Sequence, residues 1–537
     1  MDHYCSSFFL SKKFTLMLIK INSDIEISNL FFFYENIPAL KQTSDQHNGS
    51  TMSIKLNHPQ LLKTDNYIAG KWISSASTFT VTNPATGQII AKVANAGATE
   101  TQQAINAAKQ AFPEWKSMPA RIRSDIMMKW YELILEHIDD LAYLMTVEQG
   151  KPLKEARGEV LYGASFIQWF AEEAVRIYGD TIPSHVPNKS LLTIKQPIGV
   201  CAAITPWNFP NAMLTRKAGA AFAVGCTMVV KPSEETPLSA LALGELATQA
   251  GFPPGVFNIV VGTNAQTIST AITNSKVVRK LSFTGSTAVG KLLMAECAKT
   301  VKRTSMELGG NAPFIVFDQA NIDDAVTGLM ASKFRNAGQT CVCANRILVQ
   351  ESIYEEFVQK VAIKIKALHL GNGLDEKTDI GPLINQKAID KVNALVTDAL
   401  DKGGILHLGE RDHQGSLIYP PALITGITAD MDIAQAEIFA PVVAIMPFKT
   451  EEQALDIANR SDAGLASYIY TENIHQIMRV SQALEYGIVG INEGVISTTV
   501  APFGGIKQSG MGREGSKYGV DEYLEIKYLC MNIKPNA

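Results

Sequence analysis

Three short apolar stretches run directly into motifs of polar and glycine residues, and this feature most restricts the possible fold. The stretches and the residues that follow them are 199–204 before Trp207 and Asn208, 226–230 before Lys231, and 281–283 before Thr284 and Gly285. Each stretch has the length and composition of a buried strand. Ligands of open α/β sheets bind at the carboxyl ends of parallel strands. The pattern therefore predicts an α/β fold with a ligand site at one sheet edge.

Helical periodicity separates these strands. Residues 99–115 and 120–149 have the apolar spacing of amphipathic helices. A second α/β unit begins with the strand-like residues 313–317 and runs to about residue 510. We therefore expect two α/β domains, which also suits a chain of 537 residues.

Two further segments are predicted to form a projecting arm. Residues 178–195 mix β-branched and polar residues and predict a projecting β-ribbon. Residues 522–528 alternate apolar and polar side chains, and we expect this tail to pair with such a ribbon on another subunit.

Composition excludes several partners. A net charge of -4 lacks the basic face that nucleic acid requires. Apolar runs stay below the roughly 20 residues of a membrane span, so no membrane partner is expected. Seven cysteines without a regular framework predict a reducing compartment, such as the cytoplasm.

The first fifty residues differ from the rest and contain no arginine. Lysines interrupt their apolar stretches, unlike a secretory signal, and Asp24, Glu26 and Glu35 do not suit a mitochondrial transit peptide. We interpret residues 1–51 as a non-native or disordered extension, with Met52 as the expected start of translation.

A candidate nucleophile, Cys341, follows the polar residues 338–340. A single cysteine is more often a small buried apolar residue than a nucleophile. Two other motifs favour the nucleophile here: Glu307 precedes a Gly-Gly pair, and Asn208 follows a predicted strand. A thiol, a carboxylate and an amide donor are the groups that oxidation of an aldehyde through a thioester would need.

At these residues the chain resembles the aldehyde dehydrogenases and, over a longer match, the succinate-semialdehyde dehydrogenases. The resemblance extends from Tyr67 to Cys530, and its most specific parts are residues 334–345, 490–497 and 501–518. It implies a Rossmann-type NAD(P)-binding domain (61–177 and 198–308), an α/β catalytic domain (309–510) and a β-ribbon oligomerisation element (178–197 and 511–537). A homo-oligomer, either a tetramer or a dimer, is expected.

The resemblance also implies catalytic roles. Cys341 would attack the aldehyde, and its backbone N–H and the Asn208 amide would stabilise the resulting alkoxide. Glu307, in a poorly hydrated funnel that raises its pKa, would activate the water that hydrolyses the thioester.

The cofactor signal is a Gly-x4-Gly spacing between a predicted strand and helix, which is weak evidence by itself. The resemblance predicts the residues that contact NAD or NADP: Trp207, Lys231, Ser233, Glu234, Gly285, Ser286, Gly290, Leu308, Glu437 and Phe439. Glu234 would repel a 2′-phosphate, so NAD is the preferred prediction, although Ser233 and Lys231 leave NADP open. Ala440 stands where most relatives carry glycine, which makes the local backbone harder to predict.

A substrate that ends in a carboxylate needs cations at the far end of its tunnel. Arg216, Arg335 and the Ser497 hydroxyl resemble the family's carboxylate clamp. Ordinary ion-pairing is the alternative role for the arginines. Aromatic residues predicted as tunnel walls, with core packing an equal alternative, are Trp207, Phe209, Phe170 and Phe503.

These residues predict NAD(P)-dependent oxidation of succinate semialdehyde to succinate, the reaction of 4-aminobutyrate degradation that the resemblance implies. Glutarate semialdehyde and general aldehydes are alternative substrates. An inactive scaffold protein or a cysteine acyl transferase without hydride transfer is disfavoured, because the catalytic and cofactor positions are all present. Cys343 either forms a reversible disulfide with Cys341 or has no role. No cluster with metal-ligand spacing is evident, and no metal is predicted.

Overall fold

The structure is a computed structural model that describes residues 49–533. Its two main β-sheets are largely parallel, and each is covered by helices. Most of the extension expected at residues 1–51 lies outside the described residues. Its last two residues join the fold: Ile89 N donates to Ser50 O at 2.8 Å, and Thr51 forms a β-bridge with Ile89.

The strands are β1 (Asn66–Ile68), β2 (Lys71–Ile73), β3 (Thr78–Thr82), β4 (Ile89–Ala94), β5 (Thr181–Ile182), β6 (Lys189–Pro197), β7 (Val200–Ile204), β8 (Thr227–Lys231), β9 (Phe257–Ile259), β10 (Val278–Thr284), β11 (Arg303–Glu307), β12 (Ala312–Val316), β13 (Ala344–Gln350), β14 (Ile405–Leu408), β15 (Ala422–Thr425), β16 (Val442–Phe448), β17 (Ala463–Gly464), β18 (Ala466–Tyr470), β19 (Ile488–Ile491), β20 (Ile506–Lys507), β21 (Gly510–Met511) and β22 (Leu524–Asn532). The α-helices are α1 (Ala98–Ser117), α2 (Ala120–Glu136), α3 (Ile138–Gln149), α4 (Leu153–Glu173), α5 (Ala212–Val224), α6 (Pro237–Ala250), α7 (Ala265–Asn274), α8 (Thr287–Ala298), α9 (Ile322–Phe334), α10 (Tyr354–Lys366), α11 (Gln386–Asp401), α12 (Asp432–Gln435), α13 (Glu451–Asn459) and α14 (Ile474–Ala483).

The first sheet has the strand order β2-β1-β9-β8-β7-β10-β11-β21. Its five central strands, from β9 to β11, are parallel. β7 alternates between the two layers of helices: Cys201 and Ala203 pack on one side and Val200 and Ala202 on the other. Because the central strands are buried on both faces, their sequences are continuous apolar runs.

The second sheet has the order β14-β15-β16-β13-β12-β18-β19, with only β14 antiparallel. The chain passes from one sheet to the other between Glu307 and Ala312. It later returns: β21 pairs with β11, where Glu307 lies opposite Gly510. Met511, which the sequence analysis assigned to the oligomerisation element, therefore belongs to the first sheet.

The edges of the two sheets carry the predicted site. β8, β7, β10 and β11 are parallel neighbours, so the residues that follow them come to one carboxyl edge. In the second sheet, Gly310, Cys341 and Phe439 precede β12, β13 and β16, which are also parallel neighbours. They therefore lie at the amino edge of that sheet.

One predicted helix is interrupted. Residues 120–149 form α2 and α3, which are separated at His137 (φ -101°, ψ 20°). The apolar spacing continues across this break, because α2 and α3 both pack against α4. Periodicity alone therefore could not reveal it.

The predicted ribbon exists, but its partner was predicted wrongly. β22 pairs antiparallel with β6 of the same chain over nine residues, from Leu524 opposite Pro197 to Asn532 opposite Lys189. β5 adds a third strand at Thr181–Ile182. The tail thus completes an arm within its own chain.

Within residues 49–533, no helix has the length and hydropathy needed to cross a membrane.

Candidate active site

Cys341 lies in a strained loop between α9 and β13. Asn336 and Ala337 adopt left-handed backbone conformations, with φ values of 52° and 55°, and Gly338 follows at 76°. Left-handed residues other than glycine cost about 1–2 kcal/mol each. Such strain persists only where surrounding contacts impose it, as they commonly do at functional sites.

Hydrogen bonds to Asn208 hold this loop. The Asn336 Nδ2 donates to Asn208 O at 3.0 Å, and the Asn208 Nδ2 donates to Gln339 O at 3.0 Å. Glu155 accepts from the Asn336 backbone N at 2.7 Å. An asparagine amide carries two hydrogens, so Asn208 keeps one for a ligand in the cavity.

The Cys341 thiol is protonated at neutral pH. Burial raises the pKa of Cys341 to about 12, although Arg216 and, more weakly, Arg335 oppose the shift. The thiol therefore needs a base as it attacks, because the thiolate is the nucleophilic form.

Glu307 is a buried carboxyl with no bonding partner. It ends β11, is 2% exposed, and neither carboxyl oxygen has a hydrogen-bond partner among the described residues. Burial, reinforced by Glu514, raises the pKa of Glu307 well above its ordinary value. A Cβ at Gly504 would lie 3.0 Å from Glu307 Oε1, so glycine there keeps a methyl group out of the space beside the carboxyl. These are the properties of a general base.

Glu514 was missed in the sequence analysis. Its carboxylate forms ion pairs with Arg216 Nε and Lys217 Nζ, both at 2.5 Å. Burial opposes its ionisation, but Arg216 and Lys217 lower the pKa of Glu514 to about 2. Glu514 is thus a fixed negative charge behind Glu307. Motif spacing could not indicate this role, because Glu514 lies 207 positions beyond Glu307 in the chain.

The predicted residues converge on one cavity of about 350 Å³. Those that line it are Trp207, Asn208, Arg216, Gly285, Ser286, Glu307, Leu308, Arg335, Cys341, Glu437, Phe439, Ser497 and Phe503. Lys231, Ser233, Glu234 and Gly290 are absent from its lining. Lys231 ends β8, Ser233 and Glu234 lie in the turn beyond it, and Gly290 lies in the first turn of α8.

Two aromatic rings mark one side of the cavity. Trp207 and Phe439 pack edge to face, with ring centroids 5.7 Å apart. Phe439 has a left-handed backbone (φ 59°), whereas Ala440 does not. The strained residue is therefore the aromatic one, and alanine at position 440 needs no unusual conformation.

Glu437 lines the same cavity. Its Oε1 accepts from Gly310 N at 3.1 Å, and burial raises the pKa of Glu437 to about 7. A Cβ at Gly309 would approach Glu437 Oε2 to 3.1 Å and Thr287 Oγ1 to 3.4 Å. Glycine thus keeps open a polar channel between Glu437 and the start of α8.

The start of α8 suits a phosphate group. Ser286 caps this 12-residue helix and accepts from Val289 N at 3.4 Å. A Cβ at Gly290 would lie 2.4 Å from Leu308 Cδ2, so only glycine lets the helix approach the strand end this closely. Helix N-termini attract anions through their free N–H groups. The residues therefore fit a dinucleotide.

The Lys231 Nζ lies 2.6 Å from Glu234 Oε2. The lysine is buried and the glutamate is partly exposed. The positive charge that a 2′-phosphate would use is therefore already paired with a carboxylate.

The remaining predicted residues lie around Cys341. The Arg335 guanidinium stacks 5.2 Å from the Phe209 ring and has no ion pair among residues 49–533. The Arg216 guanidinium stacks 4.3 Å from the Phe503 ring. The ion pair with Glu514 engages Arg216 Nε, while its terminal nitrogens have no hydrogen-bond partner in the described chain. The ion pair that was the alternative role of Arg216 is therefore present, and its role in a carboxylate clamp stays a prediction.

Two aromatic residues complete the surroundings. Phe170, for which tunnel wall and core packing were equal alternatives, is fully buried in the core, with its ring centroid 6.4 Å from that of Phe166. Tyr162, which carried no sequence signal, lines the cavity, and its hydroxyl has no hydrogen-bond partner among residues 49–533.

Cys341 and Cys343 are both free thiols. Cys343 is buried, and its Sγ donates to Lys333 O at 3.7 Å and Ala344 O at 3.5 Å. A disulfide between the two cysteines remains untested.

The structure also gathers residues that the prediction of no metal had overlooked. His58, His137 and Asp140 place three potential ligand atoms within 4.8 Å of one another. None of the three lines the cavity around Cys341. His58 lies far from His137 and Asp140 in the chain, so motif spacing could not reveal the cluster.

Comparison with known proteins confirms the resemblance. The profile of the aldehyde dehydrogenase family matches residues 72–529. Mitochondrial succinate-semialdehyde dehydrogenase of Oryza sativa subsp. japonica is 56% identical over 89% of this chain and 91% of its own length. Succinate-semialdehyde dehydrogenase [NADP(+)] GabD of Escherichia coli is 53% identical over 89% of this chain and 100% of its own length.

Glutarate-semialdehyde dehydrogenase of Pseudomonas putida is also 53% identical, over 89% of this chain and 100% of its own length. Among solved structures, succinate-semialdehyde dehydrogenase from Burkholderia pseudomallei superposes with a TM-score of 0.88 at 51% identity, covering 89% of this chain and 100% of that one.

Glu307→Gln is expected to raise the melting temperature at neutral and alkaline pH. Because the folded-state pKa of Glu307 is raised, the folded protein binds this proton more tightly than the unfolded chain does. That contribution to stability is complete below the unfolded pKa of about 4.3 and is lost as pH rises through the folded pKa. The advantage of the variant should therefore be absent near pH 4 and should grow with pH.

Thermal unfolding between pH 4 and 9 measures this difference, with the exposed Glu132→Gln as the control. A difference that does not change with pH, or a variant less stable than wild type at pH 8, would contradict the assignment.

Proposed function

The chain belongs to the aldehyde dehydrogenase family of oxidoreductases, and on that premise we propose that it oxidises succinate semialdehyde to succinate with a nicotinamide dinucleotide. The observation that carries the proposal is the meeting of Cys341 with two guanidinium groups in one cavity. An uncharged aldehyde would leave Arg335 and the terminal nitrogens of Arg216 without a partner, whereas a terminal carboxylate could pair with both.

The proposed reaction starts at Cys341. Its sulfur would add to the aldehyde carbon while the thiol proton passes to solvent, which leaves Glu307, the unpaired carboxyl in the same cavity, free for the later hydrolysis. The Cys341 N–H and the free hydrogen of the Asn208 amide would donate to the alkoxide oxygen.

Trp207 and Phe439 would hold the nicotinamide ring of a dinucleotide, and the chemistry that this cofactor would supply is removal of hydride from the substrate carbon. Cys341 would then hold the acyl group as a thioester. Glu307 would take a proton from water as the water oxygen attacks the thioester carbon. The acid would leave, and the proton held by Glu307 would pass to the Cys341 sulfur and restore the thiol. The raised pKa of Glu307 makes it a stronger proton acceptor for this step.

Two cations would hold the substrate carboxylate. Arg335 is half-buried and unpaired, so it can form a charge-assisted pair without losing an existing one. Arg216 would contribute its terminal nitrogens while Glu514 holds its Nε. The Ser497 hydroxyl lines the same cavity and makes no hydrogen bond with the described residues. The Tyr162 hydroxyl is a further donor for this anion.

Glutarate semialdehyde is the second candidate substrate. A relative with that name is as similar as one named for succinate semialdehyde. The two aldehydes differ by one methylene, which a pocket distinguishes by only about 1–3 kcal/mol. Both carry the terminal carboxylate on which the proposal depends.

NAD is the proposed cofactor in preference to NADP. The support is the ion pair between Lys231 and Glu234, which leaves a carboxylate where a 2′-phosphate would lie. One relative, from Escherichia coli, is named for NADP, so NADP is the alternative cofactor.

We also propose a homo-oligomer, a tetramer or dimer, built through the arm of β5, β6 and β22. Apolar side chains that remain exposed there are Ile182, Ile526, Tyr528 and Met531, and exposed apolar patches mark association surfaces. A reducing compartment such as the cytoplasm is proposed because every cysteine in residues 49–533 is a free thiol.

Arg335→Gln is expected to lower kcat/KM for succinate semialdehyde by roughly 10- to 100-fold, the value of a charge-assisted hydrogen bond of about 1.5–3 kcal/mol. For butyraldehyde, which lacks the carboxylate, the loss should be several-fold smaller. Absorbance of the reduced cofactor measures both rates. Arg121→Gln, at an exposed arginine on α2, is the matched control. Equal losses on the two aldehydes would remove Arg335 from the clamp.

Glu234→Ala is expected to raise the ratio of kcat/KM with NADP to that with NAD by at least about tenfold, because it removes a repelling carboxylate and frees Lys231 for a phosphate. Glu235→Ala removes the same charge one residue further along and should leave the ratio near the wild-type value. If the ratio is unchanged in Glu234→Ala, this carboxylate does not set the cofactor preference.

A further inference from the structure

A cluster of two histidines and one aspartate joins the amino-terminal segment to a helix junction. His58 precedes a short 3-10 turn, His137 separates α2 from α3, and Asp140 lies in the first turn of α3. The His58 Nδ1 lies 3.0 Å from Asp140 Oδ2 and 3.1 Å from His137 Nδ1. One side chain of the amino-terminal segment therefore lies beside two side chains of the helix junction.

Proton placement explains why this arrangement favours a cation. The carboxylate oxygen accepts only, and each neutral imidazole nitrogen either carries a proton or offers a lone pair. A proton on both Nδ1 atoms would bring two N–H groups together at 3.1 Å. One proton on His58 Nδ1, shared between Asp140 and His137, satisfies the cluster. A metal ion can replace that proton and bind all three lone pairs at once.

The distances suit a small tetrahedral ion. Zinc binds imidazole nitrogen and carboxylate oxygen at about 2.0–2.2 Å, which places neighbouring ligand atoms about 3.3 Å apart. The two measured separations, 3.0 and 3.1 Å, are within a few tenths of an ångström of that spacing. The third separation, between the ligand atoms of His137 and Asp140, lies within 4.8 Å, and side-chain movement that brings these two atoms to the same spacing would complete a three-ligand site.

The surroundings support the ligands. Asp140 Oδ1 accepts from Asn57 N and Oδ2 accepts from His58 N, both at 2.8 Å, so the carboxylate is oriented before any ion arrives. His137 is 5% exposed and Asp140 3%, whereas the His58 side chain is 42% exposed. The buried ligands give rigidity, and the exposed one gives an entry path with room for water as a fourth ligand.

We propose that His58, His137 and Asp140 bind one divalent late first-row metal ion, with Zn²⁺ as the best match to two imidazoles and one carboxylate. The ion fastens the segment around His58 to the α2–α3 junction. Because the cluster shares no residue with the cavity around Cys341, the site is structural and is independent of the proposed oxidation.

Isothermal titration of the full chain with ZnCl₂ tests the proposal. The titration uses Cys341→Ala protein, because the nucleophilic thiol would bind zinc itself. We expect one equivalent per chain that is lost in Cys341→Ala/His58→Ala and weakened at least tenfold in Cys341→Ala/His137→Gln. His58 is partly exposed, so its variant should fold, and on the wild-type background His58→Ala should retain dehydrogenase turnover.

His369→Ala provides the matched control. His369 Nδ1 lies 3.2 Å from Asp379 Oδ2, but this His–Asp pair is not part of a three-ligand group in residues 49–533. Its loss should leave zinc binding unchanged. Absence of the zinc equivalent, or equal binding by the His58→Ala protein, would overturn the proposal.

Discussion

Two hydrogen bonds between Asn208 and the loop that carries Cys341 hold the site together. Asn208 follows β7 in the first sheet, and the loop precedes β13 in the second. The Asn208 side chain donates to this loop, and its backbone carbonyl accepts from it. The same asparagine therefore fixes the strained loop and places an amide donor in the cavity of Cys341. Any displacement of one sheet edge against the other would separate Cys341 from that donor, although both sheets could remain folded.

The charges of the cavity are arranged for reaction rather than for stability. Glu307 has no cation within ion-pairing distance in the described chain, and Arg335 has no carboxylate. A buried charge without a partner is costly, and that cost raises the pKa of Glu307 well above its ordinary value. Glu514, by contrast, stays ionised because Arg216 and Lys217 surround it. The protein thus keeps one carboxyl able to exchange a proton and another permanently charged, a separation common to acid–base sites.

The fold and most of the site could be predicted from sequence because their signals are local. Apolar stretches such as residues 226–230 indicate buried parallel strands, and the residues that follow them lie at the expected sheet edge. The residues missed depend on contacts between distant positions. Glu514 reaches Glu307 through the return of β21, and His58 meets His137 across a helix break that apolar spacing does not show. The alternation of apolar and polar residues in β22 predicts a strand, but it does not specify the strand that pairs with it. The pairing of β22 with β6 therefore could not be predicted from this pattern.

The central claim is that Cys341 carries the acyl group and Glu307 activates the water that releases it. The most direct test is intact-protein and peptide mass spectrometry of Glu307→Gln after mixing with succinate semialdehyde and cofactor, with reduced cofactor followed in parallel. The account predicts about one reduced cofactor per chain in a burst, slow turnover afterwards, and an acyl group on Cys341 that is absent from Cys341→Ser. Steady turnover at the wild-type rate, or an acyl group on any other residue, would contradict it.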